Sequence, residues 1–280
     1  MAAGSRLSAE QVASYEREGV LFPIPALTPE ETARYRAAVE DLERRLGGKP
    51  SPAAMSQPQL HFRWAYDLAT HPAVLDAVEQ VLGPDILVHS ASIFCKHPRT
   101  ADYVSWHQDG HYWRLEAPRL VSAWVALSDS TPENGCLRVV PGSHHLDRLP
   151  HTDRPWAENN LLASGLEIAV DVREEEALDV VLRAGQMSLH HVQIVHGSNP
   201  NRSDGKRIGF AIRYVAPEVK QGLDHHQVLL ARGSDAHGHY ALLEEPPGED
   251  VEEGLRRQAE FAARRLQARL GGQARQEGAS

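Results

Sequence analysis

His107 and Asp109 stand two residues apart in the segment Val104-Ser105-Trp106-His107-Gln108-Asp109. On a β-strand, side chains two apart share a face, so an imidazole and a carboxylate converge while Gln108 turns away. These are two of the three ligands of a facial triad, a site that holds iron(II) and leaves positions open for a cosubstrate and O2. Alone the pair is weak, because a chain with 16 histidines and 38 acidic residues makes such pairs by chance, often as surface hydrogen bonds. A second histidine has a better setting. Val192-Gln193-Ile194-Val195-His196 reads as a strand, and Gly197-Ser198-Asn199-Pro200-Asn201-Arg202-Ser203-Asp204-Gly205 as the loop after it. Residues 207–215 alternate in polarity and read as the returning strand. With a loop over 197–206, His196 lies opposite Arg207 across an antiparallel pair, on the same face. A guanidinium there suits 2-oxoglutarate, whose 1-carboxylate and 2-keto oxygens chelate iron and whose far carboxylate needs a planar, bidentate cation. Ser198 would add a hydrogen bond to that carboxylate. Arg213, six residues on and on the same face, is the competing arginine, and Arg207 could instead pair with Asp204 at the surface.

The elements that must position these groups fall into two textures. The first third is helical. Ser8 with Gln11 forms a capping box, and Gly19 ends a short helix. Thr28-Pro29-Glu30-Glu31 starts a second helix, whose Tyr35, Val39, Leu42 and Leu46 keep helical spacing until Gly47-Gly48. Residues 49–59, with Pro50, Pro52 and Pro58, read as a loop, and His71-Pro72 opens a third helix closed by Gly83-Pro84. After Gly83 come short apolar runs between turn residues, at 85–95, 104–109, 120–127, 136–140, 166–170, 187–196 and 207–215. Such spacing predicts a sandwich or barrel rather than a parallel α/β sheet. A charged stretch over 249–270 with Leu255, Phe261, Leu266 and Leu270 reads as a surface helix, and 271–280 as a disordered tail. No linker divides the chain, so residues 1–270 are expected to form one domain, with a helical part over 7–83 and a β core over about 85–215.

Three strings in order, SWHQDGHYW, AWVALSDSTPENGCLRVVPGSHH and GQMSLHHVQIVHGSNPNRSDGKRIGFAIRYV, resemble the phytanoyl-CoA dioxygenase family, which includes ectoine hydroxylase. The resemblance spans about Asp85 to Val215. It implies a mainly β fold, a double-stranded β-helix or cupin-like jelly roll; the flanking N-terminal and C-terminal α-helices rest on the capping and spacing above, not on the resemblance. It also implies iron(II), 2-oxoglutarate as cosubstrate, and O2. Carried across residue by residue, His107, Asp109 and His196 match the iron ligands, Arg207 the arginine that holds 2-oxoglutarate, and Ser198 its helper. Lys96 falls near a polar position used for the cosubstrate, and Trp113 at a position lining the active site. Halogenating relatives replace the carboxylate ligand with a small residue. Asp109 therefore favours a hydroxylase acting on an unactivated C–H of a small organic substrate, with 2-oxoglutarate decarboxylated to succinate and CO2; desaturation or ring formation uses the same triad.

The remaining features exclude more than they assign. With 29 Lys plus Arg against 38 Asp plus Glu, the net charge of −9 argues against a nucleic-acid partner. No stretch approaches the roughly 18 apolar residues that a membrane span requires, and the opening MAAGSRLSAE lacks the apolar core of a secretory signal. Two cysteines, Cys95 and Cys136, make no disulfide framework and fit a reducing cytoplasm. His111, two after Asp109, is a candidate pocket residue, although Gly110 interrupts the strand. The paired histidines at 144–145, 190–191 and 225–226 would suggest zinc only with cysteines at ligand spacing, which are lacking. A metal-binding jelly roll without oxygen chemistry, whether a sensor or a metal-dependent hydrolase or isomerase, is the competing reading. Arg207 beside His196 is what distinguishes the two.

Overall fold

Local capping sets the N-terminal elements. Ser8 and Gln11 satisfy each other's backbone N–H at the start of α1 (Ala9–Glu18), and Gly19, at φ 75°, ends it. Strand β1 (Val20–Pro25) follows directly. Thr28 and Glu31 make the same reciprocal box ahead of α2 (Pro29–Arg45), with Pro29 in the first turn. Two further helices, α3 (Arg63–Ala69) and α4 (Pro72–Leu82), complete this layer. The computed structural model describes residues 6–113, 119–146, 148–153, 159–162, 166–169, 172–220 and 227–263. The tail at 271–280 and the histidines at 225–226 lie outside these residues. Among the described residues no helix is long and apolar enough to cross a membrane.

The β elements are β2 (Ile86–Lys96), β3 (Val104–His107), a short helix α5 (Gly110–Trp113), β4 (Leu120–Ala126), β5 (Leu137–Val139), β6 (His151–Asp153), β7 (Leu166–Ile168), β8 (Leu178–Val180), β9 (Gln186–His191), β10 (His196–Ser198), β11 (Arg207–Val215), β12 (Gln227–Arg232) and β13 (Ala241–Leu242). Seven form one sheet in the order β1-β9-β4-β11-β2-β12-β13, and four form a second, β3-β10-β5-β8; β6 and β7 pair separately. This is the expected sheet-rich jelly roll with flanking helices. A helix over 251–263 closes the described chain. It is less of a surface helix than its charge suggests: a Cβ on Gly254 would come within 2.6 Å of the Phe62 ring, and Gln258 Nε2 donates to Ala54 O at 2.7 Å.

Strand β11 is buried along its whole length, and its alternation assigns a task to each face. Ile208, Phe210, Ile212 and Tyr214 join the core shared with Tyr35, Leu42, Leu68 and Val78 of the helical layer. Tyr214 Oη donates to Ala69 O at 2.8 Å, fastening α3 to the sheet. The other face carries Arg207, Gly209, Ala211 and Arg213 toward the second sheet. Each is extended by its register partners: Arg207 by Lys96, Gly209 by Ala126 and Phe94, Ala211 by Trp124 and Ser92, and Arg213 by Ser122, itself opposite His190. Small residues in the middle and polar groups at both ends leave a hollow between the sheets.

Two expectations about strands are corrected. The run at 187–196 is not one strand: β9 stops at His191, a turn occupies 192–195, and His196 starts β10. Nor do His196 and Arg207 face each other in a hairpin. Strand β10 pairs with β3 and β5, whereas β11 pairs with β2 and β4. The 199–206 connection thus crosses from one sheet to the other, and the two side chains line one cavity from opposite sheets. Alternation fixes which face a side chain takes, but not which sheet supplies its neighbour.

Candidate active site

A cavity lies between the two sheets, and His107, His196, Ser198, Arg207 and Arg213 all line it. His107 and His196 are register partners on β3 and β10, with ring centroids 4.0 Å apart. Asp109 lies beyond the end of β3, so the strand-face reasoning does not apply to it. A turn delivers it instead. Gly110 N–H donates to Val192 O at 2.9 Å, and the Gln108 side chain spans Gln193 O and Leu149 N–H. The ligand atoms of His107, Asp109 and His196 fall within 4.8 Å of one another, and all three residues are buried.

Both imidazoles are oriented by their backbone. His107 Nδ1 lies 2.9 Å from Ser105 O and His196 Nδ1 2.9 Å from Ile194 O; donation from each Nδ1–H leaves Nε2 as the metal-ligating atom. Burial, with His107 alongside, holds the His196 imidazolium well below its ordinary range, so the ring is neutral, as a ligand must be. Burial alone would raise the Asp109 carboxyl, but the Arg213 guanidinium and the two histidines hold it well below the usual carboxylate range. Two imidazoles and one carboxylate fit a divalent iron ion in donor type and number.

At the other end of the hollow, Arg207 and Lys96 are 2% and 0% exposed. Arg207 Nη2 donates to Gly135 O at 2.9 Å, its guanidinium carbon lies 5.4 Å from the Trp124 ring centroid, and its Nε has no partner. Lys96 Nζ donates to Ser198 Oγ at 2.6 Å, to Gly135 O at 3.3 Å and to Asn199 O. Burial brings Arg207 down to about 10 and, with the Arg207 charge beside it, Lys96 down to about 5. Among the described residues neither makes an ion pair with a carboxylate. A buried guanidinium with an orphaned N–H, and an ammonium pushed toward neutrality, form a site lacking its anion. The distal carboxylate of 2-oxoglutarate fits it.

Other candidates are distributed differently. Arg213 stands beside Asp109, its Nε 3.4 Å from Oδ2, and not with Ser198 and Lys96. His111 stacks on His151, with centroids 4.1 Å apart, and is not among the cavity-lining residues. Trp113 closes α5, and its side chain lies outside the described residues. Sequence reasoning passed over His190 and Trp124 as pocket residues, yet both line the cavity. The His190 ring lies 5.1 Å from that of His196, with a buried Nδ1 that has no partner. Only the register of β9 against β4, which places His190 opposite Ser122, would have brought it forward.

The family model described as phytanoyl-CoA dioxygenase matches residues 15–209. An ectoine dioxygenase from Nocardia farcinica is 30% identical over 215 residues, 69% of this chain and 72% of the relative. Among solved structures, the non-heme monooxygenase ThoJ in its apo form superposes with a TM-score of 0.79 at 34% identity, covering 95% of this chain and 99% of that one. The non-heme alpha-ketoglutarate-dependent carbocyclase SnoK from nogalamycin biosynthesis follows at a TM-score of 0.61 and 27% identity, over 77% and 86%. Spanning most of the chain from α1 through the triad to Gly209, these matches place it in the phytanoyl-CoA dioxygenase family of iron(II)- and 2-oxoglutarate-dependent oxygenases.

Proposed function

We propose that this oxygenase is a hydroxylase of a small organic molecule, with residues 1–270 as its single domain. His107, Asp109 and His196 hold iron(II); Arg207 takes the far carboxylate of 2-oxoglutarate in its planar fork, with Ser198 and Lys96 donating to the same group. When bound, the metal and cosubstrate supply, from O2, an oxidant able to attack an unactivated C–H, and 2-oxoglutarate leaves as succinate and CO2. The chain's own contribution is binding and exclusion. The two backbone carbonyls fix the imidazoles, Trp124 walls the cosubstrate end, and Phe94, Val104 and Leu137 line the remaining space with apolar surface that keeps water from the reacting carbon. The observation that carries this reading is a buried His-Asp-His cluster sharing one cavity with a buried arginine that has no carboxylate partner among the described residues. A metal-binding jelly roll without oxygen chemistry has no use for that arginine.

Anaerobic addition of iron(II) and 2-oxoglutarate should give a weak visible charge-transfer band that His196→Ala abolishes. Arg207→Ala should raise the 2-oxoglutarate concentration required by about tenfold or more, as expected for loss of a charge-assisted bidentate contact. No band from folded protein, together with unchanged cosubstrate affinity in Arg207→Ala, would refute the reading. The similarity to a carbocyclase favours one second reading, oxidative ring closure by the same side chains. Labelling with 18O2 separates them: succinate takes one atom in either case, but hydroxylation places the second in the oxidised substrate, whereas ring closure releases it as water.

A further inference from the structure

The two oxygens of Asp109 have different surroundings. Oδ1 faces the triad, 3.5 Å from His107 Nε2. Oδ2 faces away and accepts from Ser122 Oγ at 3.2 Å and Arg213 Nε at 3.4 Å. These two donors are register partners on β4 and β11 in the seven-stranded sheet, while Asp109 follows β3 in the four-stranded sheet. The clamp therefore spans the sandwich. Arg213 is itself seated: Nη1 donates to Ser92 Oγ at 3.2 Å on β2, and the guanidinium carbon lies 6.0 Å from the Phe94 ring centroid. Arg213 and Asp109 are both buried, so neither moves without disturbing both sheets.

We infer that Arg213, assisted by Ser122, is a positioning residue that restricts Asp109 to a single bond with the metal. A carboxylate can chelate through both oxygens, and doing so would occupy one of the positions a facial triad keeps open. With Oδ2 committed to a cation and a hydroxyl on the far side, Asp109 has only Oδ1 to offer. The adjacent position then stays available to cosubstrate or O2. Arg207 and Arg213, six residues apart on one face of β11, thus divide the work: one receives the co-acid and the other orients a ligand. The inference rests on reading His107, Asp109 and His196 as the iron site.

The test uses the full chain with Mn(II) alone as a six-coordinate stand-in, and water-proton relaxation to count metal-bound waters. Arg213→Gln should lose one bound water relative to the unsubstituted protein, because the freed carboxylate chelates, and Mn(II) affinity should change by about ten- to a hundredfold, as for other partners of metal ligands. Arg213→Lys should restore part of the water count, and Ser122→Ala, a smaller change at a buried site, should move it in the same direction. Wild-type water number and Mn(II) affinity in both Arg213→Gln and Ser122→Ala would overturn the inference; a change in 2-oxoglutarate affinity alone would make Arg213 a cosubstrate contact instead. If the unsubstituted protein and His196→Ala bind Mn(II) alike, the iron-site reading itself fails, a result distinct from failure of the clamp.

Discussion

If Lys96 meets the cosubstrate as proposed, one buried side chain couples cosubstrate binding to pH. Its ammonium has three oxygen partners but no carboxylate among the described residues, and burial first, then the neighbouring Arg207 charge, brings it to about 5. In the free cavity near pH 7 it is therefore mostly neutral. A carboxylate placed between Arg207 and Ser198 favours the charged form, so binding takes up a proton. Affinity for 2-oxoglutarate should then fall as pH rises, approaching about tenfold per pH unit where the uptake is complete. Isothermal titration in buffers of different ionisation enthalpy would register the proton. Lys96→Met should flatten the pH dependence while leaving the Arg207 contribution in place; an unchanged slope in that variant would remove Lys96 from the site. Arg207→Lys is a separate case. It keeps a charge but loses the fork, and it should weaken 2-oxoglutarate binding by about tenfold or more rather than rescue it.

At the scale of elements, β4 and β11 determine how much room the cosubstrate has. The Trp124 indole lies over Gly209, where any Cβ would fall inside the ring. Gly209 is thus required by close approach of the indole, which also lies 5.4 Å from the Arg207 guanidinium carbon. Gly209→Ala should displace the indole into the cavity, destabilise the fold by about 1–3 kcal/mol through overpacking, and weaken 2-oxoglutarate binding more than Mn(II) binding. Thermal melts and the two titrations check this; equal loss of both affinities would point to general unfolding. Much of this architecture can be read in advance. Ser8–Gln11 and Thr28–Glu31 announce their helices because a capping box is local, and the R-I-G-F-A-I-R-Y-V alternation of β11 announces a strand with two unlike faces. Partner choice is not local. That β10 and β11 belong to different sheets and that β1 pairs with β9 depend on contacts between distant residues. The triad was legible less from the His-x-Asp pair, which chance supplies in a chain with 16 histidines, than from the three ordered strings that carry the family resemblance. His190 and the role of Arg213 were not, since each is an ordinary residue until its cross-sheet neighbour is known.

Across the whole molecule, the helical layer and the helix over 251–263 meet at a histidine that folding keeps neutral. His61 is buried between elements: its ring lies 5.2 Å from that of Phe261, its nearby charged group is Arg257, and neither of its nitrogens has a partner. Burial and, after it, the Arg257 charge bring it from 6.5 to about 4. His191, beside His144 and His145 near the start of β1, is brought to about 4 by burial and those neighbours. The unfolded chain binds protons at both residues below about pH 6.5, and the folded chain does so only near 4. Stability contributed by keeping them neutral is therefore present above the unfolded value and is lost as pH falls from 6.5 toward 4, at up to about 1.4 kcal/mol per pH unit for each group. The thermal midpoint of the metal-free protein should drop progressively through that window. His61→Phe removes one titrating group and supplies an apolar ring beside Phe261, so its melting curve should depend less on pH than that of the unsubstituted chain, with the two curves converging toward neutrality. Parallel curves across the whole window would show that the junction between the N-terminal helices and the closing helix is not where acid first acts.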